Sequence, residues 1–93
     1  MIKSFACKET QKIFSREMSR KFPNEIQRVA MRKSWMIDAA EELDDLRIPS
    51  GNRLEKLSKD RRGQYSIRIN AQWRICFTWK DGNAYDVEIT DYH

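Results

Sequence analysis

Apolar residues change their spacing midway along this chain of 93 residues. In the first half they recur every three or four positions, and in the second half every two. Residues 1–6, MIKSFA, read as a short β segment. Residues 8–20 are rich in helix formers, with Ile13 and Phe14 as the inward pair. FPNE then breaks the pattern, and Asn24 with Gln27 three residues on predicts an N-cap of the capping-box kind. A longer helix is expected over residues 25–42. Ile26, Val29, Ala30, Lys33, Ile37 and Ala40 fall near one stripe, with Met36 beside it. Lys33 interrupts that stripe and is expected to snorkel at its edge. Trp35 lies to the side, at the expected border between helix and sheet. Pro49, Ser50 and Gly51 mark a loop.

From Arg53 onward the period is two. RLEKL is a short strand candidate that bends or ends where Leu54 and Leu57 stand three apart, and SKDRRG is a charged turn closing on Gly63. YSIRI sets Tyr65, Ile67 and Ile69 against Ser66 and Arg68. WRICFTW sets Trp73, Ile75, Phe77 and Trp79 against Arg74, Cys76 and Thr78. KDGN is an Asp-Gly hairpin turn, and AYDVEITDYH sets Tyr85, Val87 and Ile89 against Asp86, Glu88 and Thr90. The expected architecture is α+β: one domain over residues 1–93, with two N-terminal helices on one face of a small, mostly antiparallel sheet, in the order β-α-α-β-β-β-β. The other face is expected to stay open. Arg68 and Arg74 stand on it, with Asp86 and Glu88 as cross-strand ion-pair partners.

Composition narrows the function. A 40% hydrophobic share with ten aromatics can build a core. No apolar run is long enough to span a bilayer, and MIKSFACKETQ lacks the apolar centre of a signal peptide. A cytoplasmic protein without membrane contact is therefore expected. Cys7 and Cys76 lie far apart and read as free thiols. With one histidine in the chain no zinc ligand set can be assembled, so no metal or other cofactor is expected. Net charge is +4, but residues 47–80 hold nine bases against two acids, while the rest of the chain is net acidic. That asymmetry suggests a polyanion partner.

Arginine forks onto two phosphate oxygens at once. RNA can be cut without a metal when the 2′-hydroxyl attacks the adjacent phosphorus. That reaction needs a base, an acid and cations around the phosphate. His93 is the one side chain whose ordinary pKa, about 6.5, suits proton transfer near neutrality. Glu55 is a base candidate if it lies nearby, Arg74 and Lys59 are phosphate-holding candidates, and Tyr92 is a stacking candidate. Strict alternation puts Tyr92 on the arginine face but Asp91 and His93 on the other, so a twist or bulge near the strand end is required. A lone terminal histidine is more often a solvated tail. On spacing alone the chain is a basic α+β domain whose task stays open.

The pieces PSGNRLEKL, DRRGQYSIRIN, QWRICF and the closing DYH, with MIKSF and IDAAEELDDL before them, resemble the HigB, or plasmid-maintenance killer-protein, branch of the RelE toxin superfamily. The resemblance runs over essentially the whole chain. It implies a small sheet backed by two helices. It also implies a type II toxin that cleaves mRNA in the A site of the small ribosomal subunit without metal, leaving a 2′,3′-cyclic phosphate. The implied partners are a cognate helix-turn-helix, HigA-like antitoxin, the ribosome and mRNA. Residue by residue, Asp91, Tyr92 and His93 match the catalytic tail and Arg74 matches the arginine placed at the phosphate. Lys59, Arg61 and Arg62 match the basic loop that contacts ribosomal RNA, with Arg53, Lys56 and Arg68 as further RNA-contacting candidates. Some members carry His and Lys where this chain has Glu55 and Ser58, so His93 is expected to bear more of the proton transfer. Its own terminal carboxylate favours the charged form, which suits a general acid; a flat pH–rate profile through neutrality counts against that role. The competing expectations are a catalytically weak or inactive antitoxin- or RNA-binding module of the same fold, and a basic protein-interaction domain.

Overall fold

The computed structural model describes residues 1–57 and 63–91. Helices α1 (Lys8–Phe14) and α2 (Asn24–Ala39) come first. Two short 3-10 turns follow, Leu43–Arg47 and Ser50–Asn52, and then strands β1 (Glu55–Lys56), β2 (Gln64–Arg68), β3 (Trp73–Lys80) and β4 (Asn83–Asp91). The strands form one sheet in sequence order, each antiparallel to its neighbour. The β3–β4 hairpin turns on Asp81 and Gly82, both at positive φ (52° and 78°), as a two-residue turn matching strand twist requires. The N-terminal β segment is realised as two parallel bridges, Ile2 to Ala84 and Phe5 to Val87, which cover the β4 edge of the sheet.

The core lies between the helices and one sheet face. Ile13 from α1 and Ile26, Ala30 and Ile37 from α2 meet Ile67, Ile75, Phe77, Ala84, Val87 and Ile89. Each such large side chain contributes about 1.5–3 kcal/mol relative to full exposure. Phe22 meets Trp73 edge-on, with ring centroids 5.6 Å apart, and closes the core under the loop between the helices.

Several expectations fail for local reasons. Helix α1 ends at Phe14 rather than near residue 20, because Arg16 turns to φ 67° and ends the helical path. The following loop is held by Gln27, whose Oε1 accepts from the Ser19 N–H at 3.0 Å. Its Nε2 donates to the carbonyls of Ser19 and Phe22, at 2.6 and 2.8 Å. Gln27 thus ties down the loop and caps nothing; Pro23 is the N-cap and Asn24 the first helical residue. Helix α2 stops at Ala39, where the Asp45 carboxylate of the next turn accepts from the N–H groups of Glu41 and Glu42. Trp35 joins the two helices instead of bordering the sheet: its indole N–H donates to the Phe14 carbonyl at 3.0 Å.

Strand β4 carries a bulge. Cys76 pairs with Glu88 but Thr78 pairs with Tyr85, so Asp86 and Val87 together oppose Phe77. Asp86 takes φ 53° to make room. Alternation therefore restarts, and Ala84 rather than Tyr85 shares the core face with Val87 and Ile89. The acids expected to pair with Arg68 and Arg74 are displaced: Asp86 accepts from Ser4 Oγ, and Glu88 stands opposite Cys76. The face expected to be open is also covered in part, since Ser66, Arg74 and Cys76 are buried. The Ser50–Asn52 turn packs against β2.

Candidate active site

The site arises from a gap in the ladder between β1 and β2. Glu55 pairs with Ser66 and Lys56 with Tyr65. Two more residues of that register would set Arg53 opposite Arg68, but Arg53 is left-handed (φ 45°, ψ 57°) and the chain swings away. A cleft of about 320 Å³ opens there, lined by Arg53, Glu55, Arg68, Asn70, Ala71 and Arg74. Among the described residues three guanidinium groups stand there against one carboxylate, a balance that suits an anion.

Arg74 is the fixed point. It is only 7% exposed. Its Nε donates to Ser66 Oγ at 2.8 Å, and its Nη2 donates to the Arg53 carbonyl at 2.6 Å and the Ser66 carbonyl at 3.3 Å. Its Nη1 lies 3.9 Å from Glu55 Oε1. Arg68 stands directly across the ladder from Arg74. Like charges so placed repel, and Glu55 offsets part of that repulsion. The turn between β2 and β3 is tied by Asn70, whose Oδ1 accepts from the N–H groups of Gln72 and Trp73, both at 2.8 Å.

Beneath this turn lies Lys33. It is 7% exposed and does not snorkel to water; its ammonium donates to the Arg68 carbonyl. Burial pushes its pKa down, and the charges of Arg32, Arg68 and Arg74 push in the same direction.

Of the residues singled out in the sequence, Arg53, Glu55, Arg68 and Arg74 come together around the cleft. Asp91 pairs with Trp73, one register position beyond Arg74 and Thr90, and its Oδ2 accepts from Gln72 Nε2 at 3.1 Å. It thus stands where strict alternation put it; the described bulge is at Asp86, not at the strand end. Lys56 lies in register with Tyr65, on the opposite face from Glu55, and does not line the cleft. Lys59, Arg61, Arg62, Tyr92 and His93 fall outside the described residues. Sequence reasoning missed Ser66 as the partner of Arg74, Asn70 and Ala71 as cleft lining, and Lys33 as its underside. Only Asn70 had a usable signal, an Asn between two strand patterns at a turn. A larger hollow of about 700 Å³ beside Met18, Ser19, Arg20, Phe22 and Asn24 brings no acid–base pair.

Comparison with known proteins identifies a family. Residues 3–93 match the family described as the RelE-like toxin of the type II toxin–antitoxin system HigB. Over 65 residues the chain is 46% identical to Toxin HigB-1 of Vibrio cholerae, covering 70% of this chain and 68% of that protein. It is 35% identical to Endoribonuclease HigB of Proteus vulgaris over the full length of both.

Proposed function

The chain belongs to the HigB family of RelE-like toxins of type II toxin–antitoxin systems, and from that premise we propose that it is an endoribonuclease that cuts mRNA in the ribosomal A site. A toxin of this type has an antitoxin as its partner. The antitoxin proposed here is a HigA-like helix-turn-helix protein, and the compartment is the cytoplasm. The observation that carries the reading is the arginine cleft, where Arg74 is held by Ser66 and the Arg53 carbonyl beside the carboxylate of Glu55.

The proposed chemistry uses side chains throughout. The scissile phosphate sits among Arg53, Arg68 and Arg74, whose guanidinium groups stabilise the charge that grows on its oxygens in the transition state. Glu55 takes the proton of the 2′-hydroxyl as that oxygen bonds to phosphorus. The bond from phosphorus to the 5′ oxygen breaks, and His93 supplies the proton to that leaving oxygen. The products are a 2′,3′-cyclic phosphate and a 5′-hydroxyl. Asp91 and Tyr92 complete the proposed catalytic tail with His93. Lys59, Arg61 and Arg62 hold ribosomal RNA, with Lys56 as a further contact outside the cleft.

The test is to map cut sites in a reporter mRNA, translated and untranslated, with wild type and with Arg74→Ala and His93→Ala. Wild type should cut the translated transcript and arrest growth. Each variant should lose about 10²-fold or more of that activity, the usual effect of removing one electrostatic or acid–base group. Alanine variants as active as wild type overturn the site assignment. An inert wild type that still binds antitoxin favours the binding-module reading.

A further inference from the structure

We infer that Lys33 is a positioning residue for the cleft, acting from the core side of the sheet by holding the Arg68 carbonyl in the gap where strand pairing is broken. The inference rests on the nuclease reading above. Two backbone carbonyls belong to that gap. Had β1 kept its register, Arg53 and Arg68 would have stood opposite each other. Because Arg53 turns away, both carbonyls need new donors, since a buried carbonyl without a partner is costly. Arg74 donates to the carbonyl of Arg53, and Lys33 donates to that of Arg68. Two cations thus keep apart two strands that would otherwise zip together, and the space between them is the cleft.

Lys33 is a poor choice for its position on any other ground. It sits in the apolar stripe of α2, three residues after Ala30 and four before Ile37, both fully buried. Burying an ammonium there costs stability that a methionine of similar length would not. Among the described residues no anion offsets the charge: the charged groups acting on it are Arg32, Arg68 and Arg74, all positive. A stabilising role does not account for that arrangement. A site-shaping role does, because the ammonium fixes the carbonyl from which the β2–β3 turn departs and adds positive potential beneath the bound phosphate.

The two roles separate cleanly by experiment. Lys33→Met, Lys33→Arg and wild type are compared by urea denaturation and by cleavage of a translated reporter mRNA, with rate followed against transcript concentration. Lys33→Met should be close to wild type in stability, because relief of the buried ammonium offsets the carbonyl left without its donor, yet cut at least tenfold more slowly at saturating transcript. Lys33→Arg, which keeps a donor and a charge, should recover part of that loss. Undiminished cleavage by Lys33→Met overturns the inference and leaves the nuclease reading intact. So does a loss of cleavage that merely follows a loss of stability, with no recovery in Lys33→Arg. A wild type that leaves the transcript whole overturns both.

Discussion

Arg74 shows how much one side chain can carry here. Its guanidinium spans from its own strand across Ser66 to the backbone of Arg53, so it both braces the fold and lines the cleft. A lysine keeps the charge but not the planar fork of donors. Arg74→Lys is therefore expected to fold and to keep weak RNA binding while losing about 10²-fold in cleavage rate, on the scale of one lost transition-state donor. Reporter-mRNA cleavage alongside a thermal melt checks this. Lys33 makes a second residue-scale prediction. Its pKa is lowered in the folded protein, first by burial and then by Arg32 on its own helix, Arg68 on β2 and Arg74 on β3. The unfolded chain, with a lysine near its ordinary value of about 10.4, binds that proton more tightly. Wild-type stability should therefore rise, relative to Lys33→Met, as pH climbs from the depressed folded value toward the ordinary one. Urea midpoints of both proteins across that range measure the slope; parallel curves would count against the buried ammonium.

At the level of elements, the bulge in β4 decides what reaches each face. Asp86 opposes Phe77 together with Val87 and sits at φ 53°, a region that β-branched residues occupy only with strain. Asp86→Ile is expected to cost about 1–3 kcal/mol for that conformation. Asp86→Gly should be close to neutral, because glycine adopts the angle freely. Denaturant midpoints of the two variants test it; equal midpoints would mean that the bulge is not held by that residue. Helix α2 has a comparable role on the other layer. Ile26, Ala30 and Ile37 anchor it to the sheet, and that anchorage fixes where Lys33 can reach.

For the molecule as a whole, charge is sorted by position. Arginines from the loop before β1 and from β2 and β3 converge on one cleft, while Asp38, Glu41, Glu42, Asp44 and Asp45 cluster in the sequence at the end of α2 and just beyond it. RNA affinity should fall steeply with salt, because each neutralised phosphate releases a counterion. Replacing Arg53 or Arg68 by alanine should weaken binding of a single-stranded RNA oligonucleotide and lower the slope of log affinity against log salt by about one unit each. Titrations at several salt concentrations read that slope. An unchanged slope would place the RNA elsewhere on the surface.

Sequence by itself determined the layers. The change of apolar period from about 3.6 to two is a local property, and it was enough to assign two helices, a strand meander and a basic sheet face. It also put Arg68 and Arg74 on one sheet face and named Glu55 as a base candidate if it lay nearby. Tertiary structure alone decided the rest, because each remaining feature depends on groups far apart in the chain. The Asp86 bulge moves Tyr85 off the core face in a strand whose polar–apolar pattern gives no sign of it. Gln27 serves a loop rather than its own helix, since its partners, Ser19 and Phe22, come close only once the chain between them folds back. Lys33 looked like a residue that would reach for water. It points inward because a carbonyl 35 residues away loses its strand partner when Arg53 turns aside, and an unsatisfied backbone group is felt only in the assembled fold.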